Sequence, residues 1–184
     1  MQDLVIRSDK RYTYDDYLKL DDDHDYEVID GNLIMEPKPK PYHQEVVITL
    51  AELLRMFLRE SHFGKVYVDV DVVFDNQVVS PDIIFISTDR LHIIQEINIQ
   101  GPPDLVIEIL SPSTQKHDRK VKSQLYFDNG VKEYWLVDPA LSLVEILSSA
   151  EDSWKRTAYG AGDRLSSPAL PGLRIEVKDI FGVV

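Results

Sequence analysis

Three acidic residues stand in stretches that otherwise read as buried. Glu108 lies within Asp104-Leu105-Val106-Ile107-Glu108-Ile109-Leu110, Asp82 opens the apolar run Ile83-Ile84-Phe85-Ile86, and Glu27 sits in Tyr26-Glu27-Val28-Ile29. Glutamate and aspartate are almost never fully buried unless paired or bound to a metal, so each of these acids needs a partner. Asp82 and Glu108 are 26 residues apart (108 − 82). If their strands pair, both carboxylates meet on one face of a sheet. Two hard oxygen ligands with room for water suit Mg²⁺ or Mn²⁺, whereas zinc would want histidine pairs or thiols. Mg²⁺ held this way awaits a phosphate, which it polarises while helping to generate hydroxide from water. A lysine nearby would orient that water and offset developing charge. The chemistry so read covers nucleases and phosphatases or other small-phosphoester hydrolases alike. The competing explanation is structural, with the acids capping turns or pairing with Arg or Lys.

The elements that must position these acids follow from pattern. A strand alternates its side chains, so Glu108 shares a face with Val106 and Leu110, while Leu105, Ile107 and Ile109 share the other. Ser111-Pro112 ends that strand. Pro81 marks the start of pairing ahead of Asp82. Tyr26 to Met35 predicts a hairpin turning at Asp30-Gly31 or Gly31-Asn32. Tyr12 to Leu20 predicts a short helix capped by Thr13, with Asp15 and Asp16 in its first turn. Pro37, Pro39 and Pro41 break structure before a long amphipathic helix from His43 to about Glu60, with His43 in its first turn. Val66 to Phe74 alternates as one half-exposed strand, and Val78 to Ile86 reads as another. Lys116 to about Asn129 predicts a helix stopped by Gly130, in which Lys122 and Tyr126 share a side. Glu133 to Asp138, a hairpin of Leu143–Leu147 with Trp154–Tyr159, and Leu173 to Val177 complete the strands.

Composition removes other classes. The 184 residues suffice for one domain spanning 1–184, and 43% hydrophobic residues supply its core. No cysteine is present, which excludes disulfides, thiol catalysis and cysteine zinc sites. Asp21-Asp22-Asp23-His24-Asp25 fails as a calcium loop, because Tyr26 and Asn32 occupy the places of the required Gly and Glu. No nucleotide-binding glycine motif occurs. Met1 to Arg7 lacks the order of a secretion signal and no apolar run reaches membrane length, so a cytoplasmic protein is expected. The formal charge of −12 leaves little general attraction for nucleic acid. Local basic patches are therefore expected, one from Lys116, His117, Arg119, Lys120 and Lys122, another from Lys38 and Lys40 among prolines.

Pro81-Asp82 followed by Glu108-Ile109-Leu110 resembles the PD-(D/E)XK nuclease signature. With Tyr26–Gly31, His43, Asp104–Ser113 and Glu133–Pro139 in the same order, the chain is similar to the Uma-two family of restriction-endonuclease-like proteins, from about Tyr12 to Val177. The resemblance implies an α/β fold with a restriction-endonuclease-like core, a central mixed β-sheet flanked by α-helices. It implies Asp82, Glu108 and Ile109 as metal positions for Mg²⁺, with Mn²⁺ as substitute, and DNA as substrate. The superfamily lysine expected two residues after the glutamate is Leu110 here. The family pattern supplies it from the following helix, at Lys122, with Lys120 as rival. Glu27 corresponds to an acid adding an outer metal contact. A homodimer is the simplest arrangement for cutting two strands. The alternative is a catalytically silent dimeric interaction module that retains the fold.

Overall fold

The computed structural model describes residues 5–6 and 9–182, so most of the Met1–Arg7 stretch lies outside the described residues. Strand β1 (Val5–Ile6) precedes helix α1 (Tyr14–Tyr17) and the hairpin of β2 (Tyr26–Ile29) with β3 (Asn32–Met35). Helix α2 (Pro41–Ser61) leads into β4 (Gly64–Val68), β5 (Val72–Phe74), β6 (Gln77–Val79) and β7 (Ile83–Ser87). After a 3₁₀ helix (Thr88–Ile93) come β8 (Ile99–Gln100) and β9 (Leu105–Ile109). One helical stretch then joins α3 (Gln115–His117), a π turn (Asp118–Lys122) and α4 (Ser123–Asp128). Strand β10 (Glu133–Asp138), the hairpin β11 (Leu143–Ala150) and β12 (Ser153–Tyr159), β13 (Arg164–Leu165), β14 (Ile175–Glu176) and α5 (Val177–Phe181) finish the chain.

The strands form a central sheet in the order β12-β11-β10-β9-β7-β4 and a second sheet in the order β1-β3-β2-β6-β5-β8, with β13 and β14 paired apart. The central sheet is mixed, since β9 runs parallel to β10 and antiparallel to β7. The expected α/β architecture is therefore present. The two faces of β9 separate as their alternation predicts. Leu105, Ile107 and Ile109 join a core under α2 and α5, whereas Val106 and Leu110 join a core shared with α4 and the second sheet. Helix α2 buries Val46, Val47, Leu50, Leu54 and Leu58 along one stripe, and Pro41 at its first turn supplies a ready-made φ where no N–H is needed. Thr13 caps α1 as expected, and the structure adds a capping box, with Asp16 returning to the Thr13 backbone. Asp30 (φ 50) and Gly31 (φ 71) make the tight hairpin turn.

The second sheet is what the alternating pattern concealed. Val66–Phe74 is two strands in two sheets, broken where Asp69 takes a positive φ of 52. Val78–Ile86 likewise splits, with Ser80-Pro81-Asp82 carrying the chain from β6 into β7. The two crossings lie side by side, as Asp69 N–H donates to Asp82 O (3.2 Å). At the C-terminus, β14 covers only part of the expected Leu173–Val177 strand, and α5 takes over at Val177.

Edge strand β4 is held close to β7 through Gly64. A Cβ there would lie 2.1 Å from the Ile86 carbonyl oxygen and 2.7 Å from a Phe85 ring carbon. Backbone cannot yield as a side-chain tip can, so Gly64→Ala should destabilise the fold by about 1–3 kcal/mol. Urea unfolding of the two proteins checks this.

Candidate active site

The antiparallel register of β7 and β9 sets Ile83 opposite Ile107. One step further Asp82 stands across from Glu108, and residues directly opposite share a face. The backbone N–H of Ile109 donates to Asp82 Oδ2 (2.7 Å), which fixes that carboxylate against the end of β9. Glu27 reaches the same place from β2 in the other sheet, and its Oε1 accepts from Ser80 N–H (3.0 Å). Lys122 bridges the sheets: its Nζ lies 2.8 Å from Glu27 Oε1, 3.1 Å from Glu108 Oε1 and 3.9 Å from Asp118 Oδ1. These groups are deeply placed, with exposures of 0% for Glu27, 5% for Glu108 and 3% for Lys122. Tyr126 OH also donates to Glu108 Oε1 (2.9 Å), so the four-residue spacing of Lys122 and Tyr126 delivers both to one oxygen. The π turn inserts its extra residue at Asp118–Lys122, which aims Lys122 inward; such insertions recur at functional positions.

His43, in the first turn of α2, reaches the same point from the opposite face. Its Nε2 is 3.0 Å from Ile109 O and 3.3 Å from Asp82 Oδ2. Both neighbours are acceptors, so Nε2 carries the hydrogen, an assignment that follows from the network. Burial works against its charged form, but the hydrogen bond and charge of Asp82 outweigh that and raise its pKa. Around this centre runs a cleft of about 1020 Å³ that also takes in Glu36, Asp69 and Asp71. Asp71 is fully engaged, by Tyr17 OH (2.8 Å) and by Ser80 Oγ.

Negative charge exceeds what one lysine balances. Burial, then the charge of Glu27, pushes Glu36 up to about 8. Burial raises Asp118 to about 6, against the pull of Lys122, and raises Glu108 as well. Lys122 itself stays charged, because Glu108 and Glu27 outweigh its burial. The Glu36 shift has a checkable sign. A folded carboxyl with a raised pKa binds more protons than the unfolded chain, so stability falls as pH rises from its ordinary value of 4.5 to about 8. Glu36→Gln should match wild type near pH 5 and exceed it by roughly 1–3 kcal/mol at pH 8, measured by chemical denaturation across that range.

A divalent cation fits this charge imbalance. Among the described residues no three His, Asp or Glu side chains converge as a ready-made metal cluster. The shell available is thus the two carboxylates of Asp82 and Glu108, with the Ile109 carbonyl and waters to complete it, which Mg²⁺ accepts. Both donors on Glu108 fall on Oε1, leaving Oε2 for another ligand. The Ile109 carbonyl already accepts from His43, so an ion there would share it.

The structure gathers Glu27, Asp82, Glu108, Ile109 and Lys122, as expected, and separates the anticipated basic patch. Arg119 is claimed by the buried Glu145 and lies 3.8 Å from Asp138, and burial lowers the pKa of His117, favouring its neutral form. Only Lys116 and Lys120 of that patch are exposed, and neither lines the cleft. Glu36 was not anticipated. The hairpin register holds a clue to it: Glu27 pairs with Ile34, so Glu36 is its diagonal neighbour on the same face.

Among the described residues no helix is long and apolar enough to cross a membrane. Two proteins resemble this chain, one in sequence and one in fold. The chain is 26% identical over 160 residues to the uncharacterized protein slr1290 of Synechocystis sp. (strain ATCC 27184 / PCC 6803 / Kazusa), covering 85% of this chain and 83% of that one. Its fold matches a crystal structure described as "a putative nuclease belonging to DUF820" from Anabaena variabilis ATCC 29413, with a TM-score of 0.78, 21% identity and coverage of 92% and 97% of the two chains. The family described as "Uma2: Putative restriction endonuclease" matches residues 14–178, and the chain belongs to that family.

Proposed function

We propose that this protein is a Mg²⁺-dependent endonuclease, Mn²⁺ substituting, that hydrolyses phosphodiester bonds in DNA. The observation that carries the reading is the meeting of Asp82, Glu108 and Lys122 at the floor of one cleft, from strands and a helix distant in sequence. Family membership supports it independently. Asp82 and Glu108, with Ile109 O, would hold the ion. When bound, the ion supplies Lewis-acid polarisation of the phosphate and a lowered water pKa. Lys122, fixed by Glu27 and Glu108, holds its charge beside the attack position and stabilises the developing anion. Tyr126 keeps Glu108 in the orientation this requires, and Glu27 tethers the lysine rather than facing the substrate.

Incubation with supercoiled plasmid beside a chromogenic phosphoester tests the reaction class. Nicking or linearisation should appear with Mg²⁺ or Mn²⁺ and vanish with chelator. Hydrolysis of the small ester alone would reassign the site as a phosphatase. Cutting both strands of a duplex would take two copies of the site, as in a homodimer, whereas cutting one strand takes one. A cytoplasmic setting, where DNA is at hand, accords with this reading.

A further inference from the structure

The lining of the cleft bears on what form of nucleic acid enters it. Among the described residues three Lys or Arg side chains line it, Lys38, Lys40 and Lys122, and the last is buried among Glu27, Glu108 and Asp118. Two exposed lysines are left to meet phosphate. The surrounding wall is acidic, with Asp25, Asp69 and Asp71 beside the Asp82–Glu108 pair. A duplex presents two dense rows of phosphate, and proteins that hold one commonly neutralise six to ten of them with Lys and Arg. This cleft has no such stripe.

The two free lysines are placed to hold one strand. They alternate in Pro37-Lys38-Pro39-Lys40-Pro41, where each lysine precedes a proline and is thereby confined to extended backbone. Lys40 has φ −80 and ψ 156, the polyproline II geometry. The tract is therefore a stiff rail that presents charge without first having to be ordered. At its end stands Tyr42, 39% exposed, lining the cleft, with its hydroxyl bonded to Phe181 O (3.3 Å). An aromatic ring tethered beside a short basic track is the pairing used to grip unpaired strands, whose bases stack on it. The next residue, His43, touches Asp82.

We infer that the substrate is an unpaired nucleic-acid strand, its backbone running along Lys38 and Lys40 and a base stacked on Tyr42, which brings one phosphate to Asp82 and Glu108. This rests on the nuclease reading and narrows it. The test uses the full chain with Mn²⁺ and one labelled oligonucleotide sequence as single-stranded DNA, as duplex DNA and as single-stranded RNA. The single strand should be cut at least about tenfold faster than the duplex, since an unstacked base adds an interaction of that size. With two phosphates held at a slope of about −0.7 each, its affinity should fall only about sevenfold between 50 and 200 mM salt, against the 10³–10⁵ of a duplex binder. Lys38→Gln/Lys40→Gln should weaken single-strand binding about tenfold with the melting temperature unchanged, and Tyr42→Ala should weaken it by a similar factor at a temperature where the variant is still folded. Equal or faster cutting of the duplex, or wild-type binding by these variants, overturns the inference and leaves the nuclease reading intact. Cutting of no nucleic acid in any form overturns both. The RNA arm identifies which sugar the strand carries.

Discussion

Lys122→Ala is expected to lower stability by about 3–5 kcal/mol and to abolish cleavage. Among the described residues the ammonium is the only Lys or Arg cation within reach of two buried carboxylates, Glu27 and Glu108, on different sheets. Removing one partner of a buried ion pair leaves the others uncompensated, which costs that much even though the intact pair contributes little net. Against a usual total of about 5–15 kcal/mol this is a large fraction, and the melting temperature should drop by roughly 10 °C. Lys122→Met separates charge from packing. It restores the aliphatic stem, so if stability recovers, burial of the methylenes was the contribution that mattered. The account expects it to stay low, and to recover in Glu27→Gln/Lys122→Met, where one orphaned charge is gone. The deficit should also shrink in acid, because burial already pushes Glu108 toward its neutral form. Denaturant unfolding of all three variants at low and neutral pH decides the matter.

Asp82→Asn and Glu108→Gln should each reduce cleavage about 10³-fold or more, because the ion's effect amounts to several kcal/mol and each 1.36 kcal/mol is tenfold. Their structural consequences should differ. The Asp82 side chain is 21% exposed and its Oδ2 is held by Ile109 N–H, so the amide can keep its place with little loss of stability. Glu108 is the shared acceptor of Lys122 and Tyr126, so its amide turns a charged partner into a neutral one. Asp82→Asn is therefore the cleaner test of chemistry. Full activity in that variant would remove Asp82 from the site.

The parts of this site legible in the sequence were those that break a pattern. An acid inside an apolar strand cannot be idle, and alternation put Glu108 on the face it occupies. The four-residue spacing of Lys122 and Tyr126 survived because both fall at or after the end of the π turn. What stayed hidden depended on the third dimension. Val66 to Phe74 alternates straight through its break, so nothing short of the positive φ at Asp69 reveals that the chain changes sheets there. The loss of Arg119 from the basic patch needed Glu145, an acid on β11 that lies 26 residues away and points inward. A π turn leaves no mark in a run such as Asp118-Arg119-Lys120-Val121-Lys122, which reads as ordinary helix.

Anomalous scattering from crystals soaked in Mn²⁺ tests the central claim most directly. A peak between the carboxylates of Asp82 and Glu108, at the roughly 2.0–2.2 Å expected for hard oxygen ligands and absent from Asp82→Asn crystals, is the predicted result. Manganese bound elsewhere with this pair empty, or nowhere at all, would contradict it.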